Sequence, residues 1–519
     1  MIRTGFHDLL AGAAAASPAA PALTYRGEMI DYAAAWNAAR VVAERLLSLG
    51  LERGDRVAIY LEKRFETVLA LFGASAAGGI FVPVNPVLKP PQVGHILIDS
   101  GARCLITSAE RLGPLAGALR GTALEHVIVV GPDPAPVDGV ALHTWPEVVD
   151  AAPAGPARAA VDADPAAILY TSGSTGPPKG VVLSHRNLIA GAESVSSYLG
   201  NTADDVILSV LPLSFDAGLS QVTTAFAVGA HCVLTNYLLP RDVPKLCADH
   251  GVTGLTCVPP LWLQLADVPW PAEAARRIRY FANTGGRMPR PTLDRLRGIF
   301  SHADPYLMYG LTEAFRSTYL EPAEVDRRPD SIGKAVPNAE ILVLRPDGTP
   351  CDAGEEGELV HRGPLVGLGY WRDPVRTAER YRPLERAAEP WRAPEMAVWS
   401  GDTVVADADG FLYFVGRTDD MIKTSGYRVS PTEIEEAAYS TGIVRDAVAV
   451  GVADPALGQR IVLVVTSANG ALDGGSVTAA LRPLLPRYMV PARVDVRSDL
   501  PRSPNGKFDR SLIRAQVSP

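Results

Sequence analysis

Nine histidines and five cysteines are dispersed through 519 residues without forming a cluster, and that scarcity removes several chemistries at once. Cys104, Cys232, Cys247, Cys257 and Cys351 form no CxxC pair and no Cys/His grouping at ligand spacing. Neither a structural zinc nor a disulfide framework is expected, and a reducing cytoplasm fits. There is no HExxH and no GxSxG, so metallohydrolase and serine-esterase mechanisms fall away. Gly367-Leu368-Gly369 lacks the third glycine of a dinucleotide fingerprint. No window approaches the ~20 continuous apolar residues of a membrane helix. The alanine-rich start is interrupted by His7 and Asp8 where a signal-peptide core would lie, and it reads as a first amphipathic helix. Positive charge is also in deficit: 49 Lys and Arg against 57 Asp and Glu give a net charge of −8. A nucleic-acid or anionic-membrane surface is therefore not expected, and any phosphate must meet local positive charge.

What remains is an ordinary globular composition, 47% apolar and 20% charged, in a chain too long for one hydrophobic core. From Tyr32 to Val130 helix-like segments alternate with strand-like RVAIYL, IFVPVN, RCLITS and HVIVV, the rhythm of an α/β fold with parallel strands. Leu142 to Asp164 is Pro/Ala-rich, as a loosely ordered connector would be. From Gly333 to Val415 short strands and turns predict an antiparallel β-rich subdomain, and beyond Asp420 the pattern is that of a small α+β unit. The expected architecture is α/β, with a large N-terminal domain over 1–417 and a small mobile C-terminal domain over 418–519. The charged, glycine-punctuated junction GRTDDMIKTSG supplies a hinge at about 416–420.

The most informative stretch is ILYTSGSTGPPKGVVLSHRNL, Ile168 to Leu188. It predicts a strand, a small-residue loop and a second strand. Backbone N–H groups at Gly173 and Gly176, hydroxyls of Thr171, Ser172, Ser174 and Thr175, and the Lys179 ammonium all suit a phosphate chain. Gly180 follows Lys179 where a Walker loop requires Ser or Thr, so this is not an ordinary P-loop NTPase. Taken alone, the loop is equally a surface turn.

Further blocks decide between these readings: YGLTEA (Tyr309 to Ala314), GYWRDPVRTAERY (Gly369 to Tyr381), SGD (Ser400 to Asp402), GRTDDMIKTSGYRVSPTEIE (Gly416 to Glu435) and PNGK (Pro504 to Lys507). Together with YTSGSTGPPKG they resemble the adenylate-forming superfamily of acyl-CoA ligases, nonribosomal-peptide adenylation domains and luciferases, over nearly the whole chain. The resemblance implies an enzyme that activates a carboxylic acid with ATP and Mg2+ and passes the acyl group to a phosphopantetheine thiol. Thr171 to Lys179 would clamp the β/γ-phosphates, Tyr309 would stack on adenine, Thr312 would touch the α-phosphate and Glu313 would hold magnesium. Asp402, helped by Arg417, would bind the ribose hydroxyls. Lys507 would bridge carboxylate and α-phosphate. Asp419 matches the hinge, about which Lys507 would withdraw while Lys423 and Gly426 approach to line the thiol tunnel. Intact Lys179, Glu313, Asp402 and Lys507 argue against an inactive nucleotide-binding protein; luciferase-like oxygenation would share the first step.

The acid is read from LPLSFDAGLSQV, where Asp216 interrupts an apolar run. An unpaired buried carboxylate costs several kcal/mol. Phe215-Asp216 resembles amino-acid-activating relatives, in which the Asp pairs with the substrate ammonium; an amino acid, a β-amino acid included, transferred to a carrier protein is then expected. Equally, Asp216 suits the N-cap of the following helix, which leaves a fatty or aryl acid ligated to CoA as the alternative. Gly285, Gly286 and Phe315 would wall the pocket, Phe315 limiting its depth, and Trp262 is expected in the core. No carrier segment with a serine attachment site follows Lys507, so the acceptor is expected to be a separate molecule.

Overall fold

A computed structural model describes residues 2–518 except 133–135, 146–156, 172–177, 238, 385–390, 392, 418–419, 425–426, 455–456, 469, 486 and 505. The apolar runs of the first third become strands Arg56–Tyr60, Ile80–Pro83, Cys104–Ser108 and His126–Val130, paired in parallel. Their side chains are buried almost without interruption, as parallel strands covered on both faces require. The predicted N-terminal helix forms at Asp8–Ala16 and buries Leu9, Leu10, Ala13 and Ala14. Part of the expected connector is itself a strand, Ala141–Thr144, added in parallel to His126–Val130.

The small-residue loop is flanked as expected. Pro165–Thr171 and Lys179–Ser184 form an antiparallel hairpin in which Thr171 faces Lys179. The GYW block lies beside it, because Gly369–Tyr370 pairs with Lys179–Ser184.

A second sheet carries five parallel strands, Val206–Ser209, His231–Leu234, Gly254–Cys257, Tyr280–Asn283 and Asp304–Tyr309. The β-rich region is not a separate layer. Thr318–Leu320, Ser331–Ala335, Leu412–Arg417 and Met396–Ala406 continue the same sheet in antiparallel fashion. Helix Asp216–Val228 leans so closely on the loop before it that a Cβ at Gly218 would lie 1.9 Å from the Pro212 carbonyl oxygen.

The C-terminal unit has its own sheet, from Ile422–Thr424 to Arg493–Arg497, with helices Pro431–Ser440, Gly474–Leu481 and Arg510–Val517. It meets the large domain through an Arg287–Glu436 ion pair and through Asn85 Nδ2, which donates to the Pro504 carbonyl at 3.1 Å. The fold is thus the mixed α/β architecture expected, a large N-terminal and a small C-terminal domain. Among the described residues no helix is long and apolar enough to cross a membrane, and no group of three His, Cys, Asp or Glu could hold a metal.

Gly218→Ala should lower stability by about 1–3 kcal/mol, the usual cost of overpacking against backbone that cannot yield. Gly298→Ala, in helix Arg290–Ile299 with nothing within 4 Å of its Cβ, should instead gain roughly 0.5–1 kcal/mol. Denaturant midpoints of the two variants check this; equal midpoints would mean that the helix can retreat from Pro212.

Candidate active site

The hairpin, the strand after it and the YGLTE segment bring three residues into one network. Lys179 Nζ donates to Glu313 Oε1 at 3.0 Å and to the Tyr370 hydroxyl at 2.7 Å, and that hydroxyl donates to Glu313 Oε1 at 2.7 Å. Burial alone would raise the Glu313 carboxyl; Lys179 and Tyr370 outweigh it and hold the group below its ordinary range. The Glu313 main chain is fixed as well, its carbonyl accepting from the Gly367 amide at 2.9 Å. Thr312 opens the single 3-10 turn Thr312–Ala314 beside it. Thr171 Oγ1 is buried with no hydrogen-bond partner among the described residues, while Ser172, Gly173, Ser174, Thr175 and Gly176 lie outside them.

Tyr309, at the end of its strand, meets Asp402, 93 residues away in the middle of strand Met396–Ala406: the Tyr309 hydroxyl donates to Asp402 Oδ2. Asp402 Oδ1 is buried without a hydrogen-bond partner among the described residues, 3.7 Å from Arg417 Nε. Burial raises the Asp402 carboxyl, against the pull of Arg417 and Tyr309. One Asp402 oxygen is thus committed and the other available.

Lys507 reaches into the same crevice from the C-terminal unit. Its Nζ is 5.6 Å from the Phe215 ring centroid, and its Cε would be 3.1 Å from a Cβ on Gly285. The ammonium keeps access to solvent within the cleft, yet protein surrounds it; desolvation lowers its pKa, opposed first by Asp216. Gly286, next to Gly285, is exposed and its carbonyl accepts from Asn283 Nδ2 at 2.8 Å. Asp419 and Gly426 lie outside the described residues, and Lys423 is placed only as the middle of strand Ile422–Thr424.

The acid pocket departs from expectation. Asp216 is not the N-cap, since that position falls to Phe215, and one of its oxygens is already paired within the protein. Its cation is internal: Arg316 Nη1 donates to Asp216 Oδ2 at 3.1 Å, with both side chains at most 5% exposed. Burial raises the Asp216 carboxyl, and Arg316, then Lys507, oppose the rise. Phe315 does not set the pocket depth either. It is fully buried in the core, where a Cβ on Gly191 would come within 2.3 Å of its ring. Phe315 has φ +54° and ψ −47°, and the Arg316 amide donates to the Ala314 carbonyl at 2.6 Å. This is a γ-turn, which sends Phe315 into the core and Arg316 to Asp216. Trp262 is fully buried, as expected, its indole N–H donating to the Ala282 carbonyl at 3.2 Å.

Sequence reasoning missed two other residues. Tyr370 was signalled by the GYW block but given no role. Lys63, at the end of an apolar strand, gave no signal at all: it is buried, donates to the Ser209 and Leu211 carbonyls at 2.9 and 3.0 Å, and has its pKa pushed down by burial to about 7. It braces the loop that leads to Phe215 and Asp216.

Comparison with known proteins agrees with this geometry. Residues 10–371 match the AMP-binding enzyme family and residues 433–507 its C-terminal domain. The long-chain-fatty-acid–CoA ligase of Salmonella typhimurium is 30% identical over 96% of this chain and 92% of its own. The sulfoacetate–CoA ligase of Cupriavidus necator is 32% identical over 93% of this chain and 92% of its own. Among solved structures, Bacillus subtilis o-succinylbenzoate coenzyme A synthetase in complex with ATP and a magnesium ion superposes with a TM-score of 0.81 at 26% identity, over 97% of this chain and 98% of that one. The chain belongs to the AMP-binding enzyme family: it is an AMP-forming acid–thiol ligase that activates a carboxylic acid with ATP as an acyl-adenylate.

Proposed function

We propose that this enzyme is an acid–CoA ligase whose two half-reactions share the crevice between the domains, 1–417 and 418–519, with coenzyme A rather than a carrier protein as acceptor. The placement of Lys507 carries the first half. A lysine at the tip of the C-terminal unit reaches Phe215 and Gly285, in the crevice that also holds Lys179, Glu313 and Asp402. For the acceptor, support comes from the full-length CoA ligase relatives.

In adenylation a carboxylate oxygen attacks the α-phosphorus, the bond to the β-phosphate oxygen breaks, and pyrophosphate leaves. Lys507 neutralises charge on the carboxylate and α-phosphate as they approach. Lys179, Thr171 and the loop 172–176 hold the departing phosphates. Thr312 donates to the α-phosphate, Tyr309 packs on adenine, and Asp402 Oδ1 with Arg417 takes the ribose hydroxyls. Glu313 suits Mg2+, which binds through one or two carboxylates together with substrate phosphates, and it stands beside the lysine that would share those phosphates. Magnesium would supply charge neutralisation on the phosphate oxygens. In the second half the thiol sulfur attacks the acyl carbon, its proton is lost, and AMP departs. Rotation about Asp419 would carry Lys507 out and bring Lys423 and Gly426 to the thiol path, so one cleft serves two transition states.

Lys507→Ala should cut acid-dependent pyrophosphate release by roughly 10²–10³ while a supplied acyl-adenylate still yields thioester; equal losses in both steps would remove the bridging role. With an accepted acid, thioester formation should depend on free CoA. Faster loading of a phosphopantetheinylated carrier protein than of CoA would overturn the choice of acceptor.

A further inference from the structure

A slot lies between helix Asp216–Val228, which begins next to Phe215, and the strands of the second sheet. One face of that helix, Ala217, Ser220, Gln221 and Thr224, lines it, and the spacing is that of a single helical stripe. Tyr280 and Met308 close the far side. Apart from Gln221, whose amide is held by the backbone of Leu208, Leu211 and Thr256, the stripe is made of small residues, which would leave room for an acyl tail. That room is taken by Arg316, which lines the slot, is among the largest fully buried side chains and leaves a cavity of only about 10 Å³. Such a volume barely admits one water molecule.

The blocking side chain is anchored from both ends. Its guanidinium is tied to Asp216, and its backbone is fixed by the γ-turn and by the packing of Phe315 on Gly191. The slot itself is mostly apolar, but the ion pair that closes it and the residues around Asp216 hold under-satisfied polar atoms. Asp216 Oδ1, Arg316 Nε, Ser214 Oγ, Ser209 Oγ and Asn283 Oδ1 are all buried without a hydrogen-bond partner among the described residues. Unpaired atoms of this kind are costly against hydrocarbon and are repaid by a polar ligand group or water. The nearest anchor for a substrate carboxylate, Lys507, stands over Phe215, one residue from Asp216. A group on the second or third carbon of a bound acid would therefore come to the Asp216–Arg316 pair.

We infer that Arg316, paired with Asp216, determines acid specificity by closing the acyl slot, so that the enzyme takes short acids bearing a hydrogen-bond donor, hydroxyl or amino, close to the carboxyl group. This rests on the acid-ligase reading above and adds the substrate class.

The test is pyrophosphate release by the full-length enzyme with propionate, 3-hydroxypropionate, 3-aminopropionate and decanoate. The two substituted acids are expected to exceed propionate in kcat/KM, their ratio distinguishing hydroxyl from amine, and decanoate to be inert. Asp216→Ala combined with Arg316→Ala removes both charges together and avoids a lone buried carboxylate; it should raise the decanoate-to-propionate ratio at least about tenfold, the discrimination that even a single methylene can carry. Arg316→Lys keeps the ion pair with less bulk and should move the chain-length profile the same way by a smaller factor, a check that does not depend on the double variant folding. Decanoate turnover by the wild type, or an unchanged profile in folded variants, would overturn the closed slot while leaving the ligase reading standing. Pyrophosphate release with none of the acids, long ones included, would overturn both.

Discussion

Adenylation forces two anions together. A carboxylate must come within bonding distance of a phosphate chain, and unit charges ~4 Å apart repel by about 4 kcal/mol even at an effective dielectric near 20. The chain as a whole does not help, with its net charge of −8. The cations must be local, and the fold is arranged to deliver them from three directions. Lys179 comes from a hairpin at the end of one sheet, Arg417 from the last strand of the other, and Lys507 from a separate unit. Two of them stand against carboxylates, Glu313 and Asp402, at 3.0 and 3.7 Å. Lys507 alone of the three belongs to the small domain, so in the proposed mechanism the charge that favours the first step is the one a domain rotation would take away.

That Lys179 and Glu313 come together was legible in the sequence because they occur in short blocks whose order is diagnostic even when their contacts are distant. Lys179 and Glu313 are 134 residues apart yet each was assigned from its own neighbours. The acid side was not legible, for a physical reason. Asp216 and Arg316 are 100 residues apart on a helix start and a turn, and their pairing exists only once the strands between them are ordered. Locally, Asp216 supported an amine partner or a cap; the true partner was a cation visible in the sequence but unplaceable. Lys63 is the same case, a charged residue whose burial depends on a loop 146 residues away. The parallel strands were read correctly from their unbroken apolar runs. That the β-rich region joins the same sheet could not be, because the alternating pattern of a strand does not say which edge it pairs with.

Specificity and chemistry meet in only one short segment. In the proposed mechanism Thr312 and Glu313 serve the phosphates and Arg316 the acid; between them Phe315 takes a backbone conformation that costs a bulky residue of order 1–3 kcal/mol. The strain is held by packing, since Phe315 fits only because residue 191 is glycine. Glu313, for its part, is fixed by contacts that do not involve Arg316: Lys179, the Tyr370 hydroxyl and the Gly367 amide. The γ-turn therefore works as a joint with independently anchored arms. A change at residue 316 can reshape the slot without displacing the Glu313 carboxylate three residues earlier.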